Sequence, residues 1–410
     1  MWTFSTLGWP DNFKNGQKLG DLKKFHPTQM LETGYEIITL WISRMIIMSI
    51  FALNEIPFEK VYLNGMVLDK HGKKMSKSKG NGIDPLDVIE QFSTDALRLS
   101  LLIGNTPGND MKMSEEKIES SRNFLNKLWN ISRFIISDQE TLSDDYDKNK
   151  LSLSDKWILN KLEKVSAEVE KNMSDYKFSL AGESLKDFTW NDLADWYLEA
   201  KKFEKDENNN KILIFILKNI LKLWHPFIPF ITEIIWEHLG EEKLLMVSSW
   251  PEIKTTNLST ELIDFEFIRE IIISVRNARA ENKIEPNKKI SALIISPKSE
   301  IIKNNEHLIK NLKTGIEKLD IISSSEELPP EKNILITIAE TEIYLIGAID
   351  EEKEKIRIQK EIESLEKMIQ FLQDKLNNEE FVSKAPQQLV QKEKERLAKS
   401  ESELEKLKQN

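Results

Sequence analysis

The chain has 410 residues, with 58 Lys and Arg against 68 Asp and Glu for a net charge of −10, 40% hydrophobic residues and no cysteine. Disulfides and thiolate chemistry are excluded, a zinc site would need an unusual His and carboxylate set, and five scattered histidines do not make one. The acidic balance argues against nucleic-acid binding through overall charge but leaves open a local basic loop or helix face, and the length suits about two to four domains.

In chain order, the first hundred or so residues alternate strand and helix, as a parallel doubly wound sheet requires. An extended stretch leads to Gly34. Residues 36–54 have helical periodicity through Ile37, Leu40, Trp41, Met45 and Met48. Residues 61–68 alternate and β-branch as a strand, and 84–102 are helical through Val88, Ile89, Phe92, Ala96, Leu97 and Leu101. From Ser114 to about Gly240 the pattern is that of a helix bundle. Ser114-Glu115-Glu116 starts it, with acids at the positive end of the helix dipole. Helices at 155–173 and 179–201, a polar connection at 205–211 and an apolar pair over 212–239, broken at Pro226 and Pro229, complete it. Its aromatics, Trp129, Trp157, Trp190 and Trp224 among them, read most simply as core.

Residues 261–281 read as a helix, and 290–296, 333–339 and 342–346 as strands of a small mixed α/β module with no chemistry assignable from residue types. Ile358, Ile362, Leu365, Ile369, Leu372 and Leu376 follow at spacings of four and three, a coiled-coil seam. A weaker seam at Val390, Leu397, Leu404 and Leu407 comes after a break at Asn377-Asn378, which predicts an antiparallel hairpin, with dimerisation through the first helix as the alternative. No apolar run reaches the roughly 18 residues of a membrane span. The longest, 36–53 and 211–231, are interrupted by charged residues, His, Pro or Ser, and the N-terminus lacks the pattern of a signal peptide.

The densest chemistry lies at 73–81, Lys-Lys-Met-Ser-Lys-Ser-Lys-Gly-Asn, between the predicted strand and helix. Lysines supply point charge, and serine hydroxyls and backbone N–H groups supply hydrogen bonds, so the loop suits a polyphosphate. A solvated basic turn is the alternative.

The ordered string Lys74-Met75-Ser76-Lys77-Ser78 closely resembles the second signature of class I aminoacyl-tRNA synthetases. Further segments resemble the valyl-tRNA synthetase family: Trp2 to Pro10, Thr33 to Ile38 leading to Trp41-Ile42-Ser43-Arg44-Met45, Arg122 to Asn130, Trp190 to Tyr197, and His225-Pro226-Phe227-Ile228-Pro229-Phe230. Phe381-Val382-Ser383-Lys384-Ala385-Pro386 in the closing hairpin favours valine over the isoleucine and leucine enzymes.

The resemblance implies a multidomain chain with four parts. These are a partial α/β doubly wound catalytic piece (1–110), an all-α anticodon-binding helix bundle (111–255), a small α/β module (256–350) and a C-terminal antiparallel coiled-coil tRNA arm (351–410). It implies ATP-dependent activation of valine and transfer to tRNA(Val), with Mg2+ as counter-ion of the ATP, in a cytoplasmic monomer. Lys74 and Lys77 would be catalytic. Gly34, Glu36, Met75, Ser76, Lys77 and Ser78 would bind ATP, and Ile37 and Trp41 would wall the valine pocket. Arg122, Asn126, Arg133 and Phe134 would contact tRNA. The family usually has Asp where Glu36 stands. No His-Ile-Gly-His-like string and no editing domain are present. The chain is therefore expected to be a C-terminal portion, inactive alone. A non-catalytic tRNA-binding module, one half of a split enzyme and an isoleucine-type synthetase are the alternatives.

Overall fold

Strand–helix alternation at the start of the chain produces parallel pairing. The computed structural model describes residues 2–76, 80–137, 142–204, 207–254, 259–324, 333–347 and 351–377, with a few positions between 391 and 404. Two compact units divide the chain, Met1–Phe265 and Glu266–Asn410.

In the first unit, α1 (Trp2–Thr6), the hairpin of β1 (Phe13–Lys14) and β2 (Gln17–Lys18), and α2 (Gly20–Phe25) come first. Phe4, Leu22 and Leu53 form a small core there. Strand β3 (Thr28–Gly34) runs parallel to β4 (Phe58–Asn64), with Gly34 opposite Asn64 at their carboxyl ends. The crossover is a 3₁₀ turn (Tyr35–Ile37), a π-helical stretch (Ile38–Ile42) and α3 (Ser43–Leu53). Tyr35–Leu53 is long and apolar enough to cross a membrane by length and composition, which corrects the expectation that no run qualifies. One such helix is weak evidence, and the strands on either side of this one pair with each other.

Strand β5 (Val67–Leu68) runs parallel to β6 (Met111–Lys112), with α4 (Pro85–Phe92) and α5 (Thr94–Leu102) between them in sequence. Residues 61–68 are thus two strands. Gly65 passes so close to Asn109 that any Cβ would overlap its carbonyl oxygen, and the chain breaks its pairing there. Residues 84–102 are likewise two helices. Asp84 caps the first by accepting from the Leu86 N–H, and Ser93 caps the second by accepting from the Ala96 N–H.

The bundle comprises α6 (Glu115–Ser137), α7 (Leu153–Ser174), α8 (Phe178–Asp187), a π-helical stretch (Phe188–Tyr197), α9 (Leu198–Lys201), α10 (Glu207–Trp224) and α11 (Pro229–His238). Phe124, Trp157, Tyr197, Trp224 and Phe227 are fully buried in it. Two groups on α5 fasten it to the turn before α11. Asp95 accepts from the Ile231 N–H at 2.7 Å, and Arg98 donates to the carbonyls of Pro226 and Phe227 at 3.0 and 3.2 Å. A carboxylate at the start of a helix also meets its positive dipole end.

Helix α12 (Ser259–Glu281) leads to the sheet of the second unit. Its elements are β7 (Ile290–Ile295), α13 (Ser299–Asn304), α14 (Glu306–Asn311), β8 (Ile316–Ile322), β9 (Asn333–Ile338) and β10 (Thr341–Ile346). The strand order is β8-β7-β10-β9, with β7 and β8 parallel and the other pairs antiparallel.

The antiparallel coiled-coil hairpin expected for 351–410 is corrected. A mixed four-stranded sheet organises the C-terminal unit, and α15 (Glu351–Asn377) is a single helix after it. An apolar seam reports that one helix face is covered, as Ile369 and Leu372 are here, but not by what. Val390 and Leu407 of the second seam lie outside the described residues.

Candidate functional site

The lysine loop begins where β5 ends. Asp69 N–H donates to the Lys73 carbonyl at 2.9 Å and Leu68 bridges to Lys74, so residues 68–74 form a tight reversal. The Asp69 carboxylate accepts from the N–H groups of His71 and Lys73 at 2.9 and 2.8 Å. The Lys73 bond, then that from the Asn81 side chain, hold Asp69 below the usual carboxylate range. Asn81 closes the arrangement: its Nδ2 donates to Asp69 at 2.8 Å and to the Lys74 carbonyl at 3.3 Å, and its Oδ1 accepts from the Ser76 N–H at 3.0 Å. Asp69 and Asn81 were not flagged by sequence; an acid and an amide at this distance from a lysine string was the available signal. Lys77 and Ser78 lie outside the described residues.

Lys74 and Glu36 come together. Lys74 Nζ stands 3.5 Å from Glu36 Oε2, both side chains largely exposed. Glu36 follows the carboxyl end of β3, the side of a parallel sheet where ligands bind. The neighbouring Tyr35 hydroxyl donates to Asp110 at 3.2 Å, and that bond raises its pKa. The same carboxylate accepts from the Met66 N–H at 2.8 Å. Met75 and Ser76 are half-buried beside Lys74. Gly34 has φ −68°, a backbone any residue adopts, and a Cβ there would meet only the Glu36 side chain. Ile37 and Trp41, four apart, are 38% and 43% exposed on an open apolar face with Tyr35, Ile38 and Leu40.

The four bundle residues separate. Arg122 pairs with Glu119 at 3.2 Å and lies over the Phe92 ring at 5.2 Å, turned toward α4. Asn126 is exposed, one residue before Lys127, which pairs with Asp195 at 3.0 Å. Arg133 lines a cleft of about 200 Å³ between α6 and α11 with Trp129, Ser132, Ile136, Ile235 and His238. Trp129 is therefore not core: it is 37% exposed and meets His238 edge-on with ring centroids 6.0 Å apart. Phe134, beside Arg133, is 37% exposed. An aromatic wall with an exposed guanidinium suits an unpaired base, which stacks on the one and accepts hydrogen bonds from the other.

The chain is similar to known proteins along nearly its whole length. Residues 1–114 match the family "tRNA synthetases class I (I, L, M and V)", 155–294 the "Anticodon-binding domain of tRNA ligase" and 350–410 the "Valyl tRNA synthetase tRNA binding arm". Valine–tRNA ligase of Clostridium acetobutylicum is 40% identical over 99% of this chain and 47% of its own length. That of Oceanobacillus iheyensis is 40% identical over 96% and 46%, and that of Bacillus subtilis 37% over 97% and 46%. The chain spans about half the length of these relatives. The expectation that the chain is only the C-terminal part of such an enzyme is corrected to this extent: residues 1–114 match class I catalytic sequence, and the relatives align along 96–99% of the chain while it spans about half of theirs.

Proposed function

We propose that this chain, which carries aminoacyl-tRNA synthetase sequence of class I, works in the ATP-dependent joining of valine to tRNA(Val). The observation that carries the reading is 40% identity to a valine–tRNA ligase along 99% of the chain. The lysine loop, set beside the carboxyl end of a parallel strand pair, adds a physical reason.

In this reading the valine carboxylate attacks the α-phosphate of ATP and pyrophosphate leaves. Negative charge then gathers on the β- and γ-phosphates, and Lys74, with Lys77 by resemblance, neutralises it. Nucleotide binding exchanges the Glu36–Lys74 pair for two better contacts, Glu36 with the ribose hydroxyls and Lys74 with phosphate. Met75, Ser76 and Ser78 complete the loop around ATP, and Gly34 leaves room beside the nucleotide. Ile37 and Trp41 contribute apolar surface for the valine side chain. Mg2+ would accompany the ATP phosphates as their counter-ion. The terminal adenosine hydroxyl of the tRNA then takes the valyl group and releases AMP. An anticodon base enters the cleft at Trp129, Arg133 and His238, with Asn126, Phe134 and Arg122 along the same helix. The four-part division at 110, 255 and 350 is part of this proposal, as is a cytoplasmic setting, where tRNA is used.

The test is tRNA selection. Binding of valine tRNA should exceed binding of the same tRNA with a changed anticodon by about tenfold, the 1–3 kcal/mol of one stacked base. Valine should be transferred to it in the presence of ATP. Equal binding of both tRNAs overturns the reading.

A further inference from the structure

The second unit carries a cationic loop cluster at one end of its sheet. Helix α12 gives way to Lys283 at φ 51°, and the turn after α14 holds Lys313 at φ 58°. Both are left-handed positions, uncommon for a residue with a Cβ. The two turns meet, because the Ile290 N–H donates to the Gly315 carbonyl at 3.0 Å, which puts Lys288-Lys289 beside the 313–315 turn. Arg279 fastens them from below, donating from Nη2 to the carbonyls of Glu285, Pro286 and Lys288 at 2.8, 3.3 and 3.0 Å. Glycine suits position 315, whose φ is 69° and where a Cβ would also crowd Arg279 Nη1 at 2.7 Å.

Arg279 is only 5% exposed, and among the described residues its Nη1 has no hydrogen-bond partner. Its hydrogen-bond acceptors among the described residues are backbone carbonyls, and no carboxylate there pairs with it. Lys283, Lys289 and Lys313 on these turns are exposed and without an ion pair among the described residues. Elsewhere in the unit, Lys303, Lys310 and Lys318 are paired with Glu300, Glu306 and Asp320. Lys283, Lys288, Lys289, Lys313 and Arg279 outnumber the carboxylates of the same segments, Glu281, Glu285 and Glu317.

We propose that this loop cluster is a docking surface for the sugar-phosphate backbone of RNA. The lysines spread over two exposed turns, which suits a polyanion that runs across a surface better than one enclosed phosphate. The cluster begins within the anticodon-binding match and precedes the tRNA-arm match. Only the identification of the RNA as a tRNA rests on the reading above.

The test measures tRNA affinity of the full chain against KCl concentration. One variant combines Lys283→Asn, Lys289→Ser and Lys313→Asn, with Asn because it tolerates left-handed backbone. A control combines Lys303→Ser, Lys310→Ser and Lys318→Ser and removes the same formal charge. The first variant should reduce the log–log salt slope by about two to three and weaken binding at low salt about 10- to 100-fold. The control should stay near the unaltered chain, and millimolar inorganic phosphate should not displace the RNA. Lys289→Glu alone, outside both left-handed turns, should weaken binding in the same direction. An unchanged slope in the first variant, an equal loss in the control, or full competition by phosphate overturns the surface. A changed anticodon that leaves affinity untouched overturns the valine-tRNA reading instead, and the slope comparison still decides the surface. A chain that binds no RNA overturns both.

Discussion

Ser93, between α4 and α5, sits in a strained backbone conformation. Its φ of 105° and ψ of 155° fall in a region that is essentially glycine's, at a cost of order 1–3 kcal/mol. Its hydroxyl repays part of that by accepting from the Ala96 N–H at 3.3 Å. Ser93→Gly loses a few tenths of a kcal/mol of cap and some unfolded-state entropy, and releases the strain. The expected outcome is a gain of about 1 kcal/mol in urea unfolding; a loss would show that the backbone there is unstrained. Asn81→Ala should loosen the lysine loop, because it removes the bonds that Asn81 makes with the Ser76 N–H, the Lys74 carbonyl and the Asp69 carboxylate. At about 1 kcal/mol for each hydrogen bond lost, ATP binding by isothermal calorimetry should weaken by about 10- to 100-fold. The lysine string was legible because its chemistry is in its own order. Asp69 and Asn81 were not, because their roles depend on the chain returning to itself after twelve residues.

Between elements, a buried charge cluster joins α7 to α9. Lys201 Nζ lies 2.7 Å from Asp155 and 2.6 Å from Glu204, with Lys201 and Asp155 almost fully buried, and the Tyr197 hydroxyl donates to Asp155 at 2.7 Å. Removing one partner of such a pair strands the other, at about 3–5 kcal/mol. Lys201→Met should therefore lower the unfolding midpoint markedly, and Lys201→Met with Asp155→Asn should recover part of the loss. Arg98→Met would leave two carbonyls of the Pro226-Phe227 turn without their donor, at about 1–3 kcal/mol, with faster hydrogen exchange expected at the start of α11. Helices were legible wherever the 3.6-residue period ran unbroken, as in α6 and α7; residues 207–211, read as a polar connection, are instead the start of α10, because a polar helical turn carries no apolar period. The breaks at Gly65 and Ser93 were not, because the period continues across both and only packing interrupts it. Strand β8 also escaped notice: Ile316–Ile322 alternates weakly, and its strand state comes from lying parallel to β7.

For the whole molecule, two histidines set a pH dependence. Burial lowers the pKa of His26 and of His225 from 6.5, with Lys18 adding to the effect at His26 while Glu55 opposes it, and Glu233 and Asp95 opposing it at His225. The unfolded chain then binds protons that the folded chain refuses, so stability is present above about pH 6.5 and is lost as the pH falls through that value toward the folded pKa values. The melting temperature at pH 5.5 should lie below that at pH 7.5, and His225→Asn should narrow the gap; an unchanged gap would assign the dependence elsewhere. Composition, helical period and ordered motifs were enough to indicate α/β sequence followed by a helix bundle and a lysine loop suited to phosphate, since these depend on neighbours in sequence. Only the tertiary structure decided that Glu36 meets Lys74, that Trp129 opens into a cleft with Arg133, that Arg279 is buried against turn carbonyls, and that β8 joins the mixed sheet beside β7. Each depends on residues separated in sequence, and a local pattern records which face of an element is apolar or charged but not what lies against it.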